Sequence, residues 1–253
     1  MIATLFLFAA LQTSPAVPAE DRWEDLVLTD NRACTADGAW CVSLVEEVWE
    51  GEVVVAPVVR AAGDPAPGGE IKAGDIETYQ PWTGLVRLAD GGFLAGVEAG
   101  ARSMYSGGGG QASELRLYRL DAAGAAEAGE YGAAPVLTVP LRGSLMIRAC
   151  FSEADMKQRA GACHDEYSFD ATLKTAGGSD ALPMLDYETV ATAFPRGVSR
   201  SEDSLEKAPL TKADLVAERD PKCSYQRRFV FDAAAGVYRP DQPLPDCSDY
   251  TVP

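Results

Sequence analysis

A single histidine, His164, restricts the nucleophilic chemistry open to this chain. A serine nucleophile needs an imidazole base within hydrogen-bond reach, so any Ser-His-acid site must use His164. The serine that best suits the part is Ser106, in the run Met104-Tyr-Ser-Gly-Gly-Gly-Gly110. No Gly-Asp precedes it, the histidine follows the serine in the chain, and the Gly-x-Ser-x-Gly nucleophile elbow is missing. Triads occur in any chain order, so Ser106 with His164 stays the pair for esterase- or peptidase-like chemistry. The competing reading makes His164 a surface residue beside Cys163. The glycines of the run have two readings as well: backbone N–H groups presented to an anion, or, favoured here, a flexible hairpin loop.

Carboxylates offer a second chemistry. Glycoside hydrolysis needs two of them about 5–9.5 Å apart across a sugar cleft. Glu46, Glu47, Glu50, Glu98, Asp165, Glu166 and Asp170 are eligible, and spacing alone does not choose among them. Trp23, Trp40, Trp49 and Trp82 could stack on sugars, although tryptophan in a disulfide-braced β protein more often packs a core or a turn. Calcium is the metal best suited to these acids, through Asp246 and Asp249 or the Asp165–Asp170 group, but the EF-hand order is absent. The expectation is that no cofactor is needed.

The six cysteines are excluded from catalysis by a different argument. Cys34 and Cys41 flank Asp37-Gly38, a tight-turn signal that lets them face each other across a hairpin. Nearest-neighbour pairing then gives Cys34–Cys41, Cys150–Cys163 and Cys223–Cys247, one of fifteen connectivities. With no Cys-x-x-Cys and one histidine, zinc is disfavoured.

Residues 1–19 carry no charged side chain, and Ile2–Leu11 has the length of a signal-peptide core, not of a membrane span. Val17-Pro18-Ala19 places small residues before a cleavage point at Glu20. An even cysteine count after such a leader fits an oxidising, periplasmic or extracellular compartment. A net charge of −16 argues against nucleic acid and anionic membrane surfaces, which both need basic patches. Arg outnumbers Lys 16 to 6 amid abundant Ala, Gly and Pro, a bacterial, GC-rich bias.

Strands must position whatever site exists. Phe93–Ala99, Glu114–Leu120, Leu141–Cys150 and Glu166–Leu173 alternate large apolar with polar or small residues. In the last of these, Tyr167, Phe169, Ala171 and Leu173 share the buried face. Tyr225, Arg227, Phe229 and Phe231 line one side of another strand, which turns at Asp232–Gly236 into Val237–Arg239. Further strands are predicted at 24–29, 40–47, 52–60, 76–81, 84–89, 134–139 and 184–194. Short helices are predicted near 212–218 and from Ser152 to Asp155. The C-terminal Arg239–Pro253 reads as an extended tail pinned by Cys247.

This pattern predicts an all-β, mainly antiparallel fold, a sandwich or barrel of about 11–13 strands, braced by disulfides. Residues 20–253 form one domain, or two (20–125 and 130–253) if the Ala/Gly/Glu-rich stretch 121–134 is a linker. The function expected is that of a monomeric, exported, non-catalytic protein that binds a protein or glycan partner. The alternative is an exported hydrolase using paired carboxylates or, less favourably, Ser106 with His164.

Overall fold

The computed structural model describes residues 21–49, 52–65, 71, 76–129, 132–178, 182–200, 202 and 207–253. The predicted leader and Glu50 lie outside these residues, as do the side chains of Glu47 and Trp49. The N-terminal strands are β1 (Arg22–Thr29), β2 (Arg32–Thr35), β3 (Trp40–Trp49) and β4 (Glu52–Ala61). Three long central strands follow, β5 (Glu77–Arg87), β6 (Phe93–Tyr105) and β7 (Gly108–Leu120). After the small hairpin β8 (Ala128–Gly129) and β9 (Gly132–Ala133) come β10 (Leu137–Arg148), β11 (His164–Thr175) and β12 (Leu185–Phe194). The chain ends with β13 (Glu218–Arg219), β14 (Gln226–Asp232) and β15 (Val237–Pro240).

Thirteen of these form one sheet, ordered β15-β14-β12-β11-β10-β7-β6-β5-β1-β2-β3-β4, with β13 beside β12. The pairs along this path are antiparallel, as predicted for an all-β chain whose consecutive strands are joined by hairpins. The sheet curls at both ends. Tyr118 Oη donates to Val55 O and the Val59 N–H to Gly124 O, drawing β4 back over β7. The Tyr238 N–H donates to Val136 O, drawing β15 back to the start of β10. No helix among the described residues is long and apolar enough to cross a membrane.

Along Phe93–Ala99 the central strand β6 is buried on both faces. Phe93, Ala95 and Val97 of β6 face a core with Leu26, Val42, Val59 and Tyr118, whereas Leu94 faces a second core with Trp82, Leu115, Tyr187 and Phe229. A third cluster joins Leu145, Tyr167 and Phe169 to Cys223, Cys247 and Tyr250. The disulfides are Cys34–Cys41, whose residues are direct partners on β2 and β3, Cys150–Cys163 and Cys223–Cys247.

Several local expectations are corrected. The two strands predicted at 76–81 and 84–89 are one strand, β5, irregular between Pro81 and Leu85. Likewise 134–139 and 141–150 merge into β10, irregular between Pro140 and Arg142. The run Gly108–Gly110 is not a loop but part of β7, paired with β6 and β10. Side chains are disfavoured there: Gly108 has φ of 154° and a Cβ on it would collide with the Met146 carbonyl, and one on Gly110 would lie 2.8 Å from Leu145 Cγ. The helix expected at 212–218 is a 3₁₀ turn, Lys212–Asp214, in which Asp214 accepts from the Thr211 N–H and hydroxyl. The tail is not wholly extended, because Ser248–Thr251 forms one helical turn, α2, that buries Tyr250. Ser152 caps α1 (Glu153–Gln158) inside the Cys150–Cys163 loop by accepting the Asp155 N–H.

Candidate functional site

The irregularity in β10 makes the site. Leu137 and Val139 stand opposite Leu117 and Leu115, but after the extra residue it is Arg142 that stands opposite Ser113 and Ser144 opposite Gln111. Side chains alternate faces along a strand, so one inserted residue exchanges them. The apolar residues of β10, such as Leu145, then face the third cluster, and the polar ones continue the surface that began as apolar core.

A cavity of about 530 Å³ opens there, over β5, β6, β7, β10 and β11. Glu98, 8% exposed, lies at its base. Its carboxylate accepts from Gln80 Nε2 at 2.9 Å, from Ser113 Oγ at 2.8 Å and from Arg142 Nη1, which spans both oxygens at 2.6 and 2.7 Å. Arg142 reaches Glu98 from two strands away and keeps 54% of its side chain exposed. Asp170 is its direct partner on β11. One row further, Arg102, Gln111, Ser144, Ser168 and Thr192 are direct neighbours in register from β6 to β12. Beyond them Met104 and Met146 flank Gly109.

Of the residues singled out by sequence, Glu98 and Asp170 are brought to this cavity. Ser106 and His164 are not brought together. Both are exposed, and β10 lies between the turn that carries one and the strand that carries the other. Two strand spacings, roughly 10 Å of backbone, separate them, and no hydrogen bond links them. Glu46 is exposed on β3, at the other end of the sheet, and Glu166 is exposed beside Met146. Asp165 is buried against Arg159, which also donates through Nε to Ala162 O. Burial pushes the Asp165 carboxyl above its ordinary value, against the pull of Arg159.

Trp23, Trp40 and Trp82 belong to the cores: Trp23 meets Trp82 edge-on at 5.4 Å, and Trp40 packs on Phe93 at 5.1 Å. Asp246 accepts the Ser248 N–H, which holds its carboxyl below the ordinary range. Among the described residues no three His, Cys, Asp or Glu side chains gather as metal ligands.

Arg142, Gln80 and Ser113 escape sequence reasoning because each reads there as an ordinary outward polar position. The proline at 140, which marks the irregular register, is the one signal that could have pointed to them. No protein-family model matches the chain, and no curated protein and no solved structure matches it.

Proposed function

We propose that this is an exported, periplasmic or secreted, non-catalytic protein that binds a protein or glycan partner in the trough over β5, β6, β7, β10 and β11. The observation that carries the reading is the Glu98–Arg142 network beneath an open cavity. An ion pair with one partner buried and the other half exposed adds little net stability, because desolvating the buried carboxylate offsets much of the attraction. Its value here lies in fixing Arg142 in one orientation before a partner arrives, which lowers the entropic cost of binding. Export is supported by the leader composition and by the pairing of every described cysteine. Continuity of the sheet across 121–134, with β7 and β10 as neighbours, supports residues 20–253 as one unit.

The test is capture of a partner from an envelope fraction by the oxidised protein and by Ser144→Tyr, which fills the trough from an exposed position. The wild type should retain a partner that the variant loses. Equal retention by both would defeat the reading.

One observation favours a second reading, a carboxylate hydrolase: Glu98 and Asp170 line the same cavity. Against it, their strands are three spacings apart, about 14 Å, and Arg142 stands between them and occupies Glu98. Hydrolysis of chromogenic glycosides that disappears in Asp170→Asn would establish this alternative.

A further inference from the structure

We infer that the trough's occupant is a neutral, hydroxyl-rich glycan chain lying across the strands, an inference that rests on the trough being the binding site. Charge is the first argument. Among the described residues the ionisable side chains lining the cavity are Glu98, Arg102, Arg142 and Asp170, two of each sign, in a chain whose net charge is −16. The trough is a locally balanced region on an acidic molecule, and it gives neither an anionic nor a cationic ligand an advantage.

Spacing is the second. Gln111, Ser144 and Ser168 sit in register on β7, β10 and β11 and line one cavity, so polar rungs recur at the strand spacing of about 4.8 Å. The row continues to Thr192, whose Oγ1 lies 2.8 Å from Ser168 Oγ, and beyond the cavity to Arg219 on β13. That repeat is close to the length of one pyranose in an extended chain, so successive sugars can meet successive strands. An extended peptide on the same path presents side chains to one face every ~6.8 Å and falls out of step within two strands.

Chemistry is the third. Amide, hydroxyl, guanidinium and carboxylate groups together offer the mixed donors and acceptors that sugar hydroxyls require. Trp23, Trp40 and Trp82 are committed to the cores. Met104 and Met146, 81% and 48% exposed, instead border the polar row and supply polarisable surface for the C–H faces of a sugar.

The oxidised protein is titrated calorimetrically with cellohexaose, mannohexaose and xylohexaose, with hexagalacturonate as the charged counterpart and a Gly/Ser decapeptide as the peptide. At least one neutral hexaose should bind, with an affinity that holds from low ionic strength to about 1 M salt, where exposed charges are screened. Gln111→Ala should weaken it about tenfold, the worth of one well-made hydrogen bond, and Ser144→Tyr should abolish it. Circular dichroism confirms that both variants fold. Binding of none of the neutral hexaoses overturns the inference. Binding of hexagalacturonate or the peptide alone, blocked by Ser144→Tyr, overturns the ligand class and leaves the trough as the site. A hexaose that binds wild type and Ser144→Tyr equally removes both.

Discussion

Glu98 and Asp165 are both buried acids held by an arginine, yet they stand in different surroundings. Glu98 has donors on both oxygens from three side chains. In Glu98→Gln one of those oxygens becomes an amide N–H₂ that meets donors head-on, and the charge-assisted bonds from Arg142 are lost. Destabilisation of about 1–3 kcal/mol is expected, read as a lower urea midpoint with an unchanged slope. Asp165 has Arg159 as its partner, within the Cys150–Cys163 loop and hardly exposed. Arg159→Met strands the carboxylate, at a cost of about 3–5 kcal/mol near neutral pH, and adding Asp165→Leu should recover much of it. The pH dependence has a definite sign. A carboxyl whose folded pKa is raised contributes stability that is complete below its unfolded value of about 3.9, and that is lost as pH rises through the folded value. Removing Arg159 takes away the group that lowers that pKa most, leaving the weaker pull of Lys207 and His164. Denaturation midpoints of Arg159→Met and wild type should therefore lie close together near pH ~3.5 and diverge toward neutrality. A gap of constant size across this range would mean that Asp165 is not the group involved.

Among the elements, β10 and the C-terminal turn α2 do the positioning. A Cβ at Gly143 would collide with the Tyr250 carbonyl, so the helical turn lies directly on the β10 backbone, and Cys223–Cys247 holds it there. Gly143→Ala should lift α2 at a cost of about 1–3 kcal/mol, as expected for overpacking. Opening the clip with Cys223→Ser/Cys247→Ser should cost about 3 kcal/mol in the chain-entropy model. Both should speed hydrogen exchange at the Tyr250 N–H, which bonds to Cys247 O, and leave amides in β6 protected. Loss of protection across β6 as well would mean that α2 is part of the global folding unit. Strand positions are largely legible from alternation, because a half-buried strand must alternate, and the cysteine pairs are legible from a turn signal and spacing. Breaks are misread at Pro81 and Pro140. A proline has no N–H for the ladder and so reads as a strand end, whereas the sheet places it beside an irregularity and continues. Glycines at 108–110 read as loop by composition, but the sheet uses them because the β10 backbone at Gly108 and Leu145 at Gly110 fill the space a Cβ needs. The site suffers most from this. Glu98 is visible as one acid among many, but its partners depend on which face Arg142 takes, and a one-residue shift decides that face.

At the scale of the molecule, β5–β7 separate one core from another, while β10–β12 carry residues of both the second and the third clusters. Tyr187 and Tyr238 belong to the second cluster, Tyr167 and Tyr250 to the third, and the two clusters share that part of the sheet. Burial pushes all four hydroxyls above the ordinary tyrosine value. A group that is harder to deprotonate in the fold than in the unfolded chain contributes stability that is complete below its unfolded pKa, about 10 here. That contribution is lost as pH climbs from there toward the folded value. Each tyrosine removes about 1.4 kcal/mol per pH unit across this window, so four acting together remove about 5.6 kcal/mol per pH unit. The net charge of −16 adds self-repulsion in the same direction. Because ordinary domains hold only about 5–15 kcal/mol, the fold should be lost within about one to three pH units above 10. Titrated upward from neutrality, phenolate absorbance from these tyrosines and loss of the β circular-dichroism signal should rise in one shared transition. If the full phenolate signal develops while the β signal persists, the hydroxyls are reachable in the native state, and the two clusters do not unfold together.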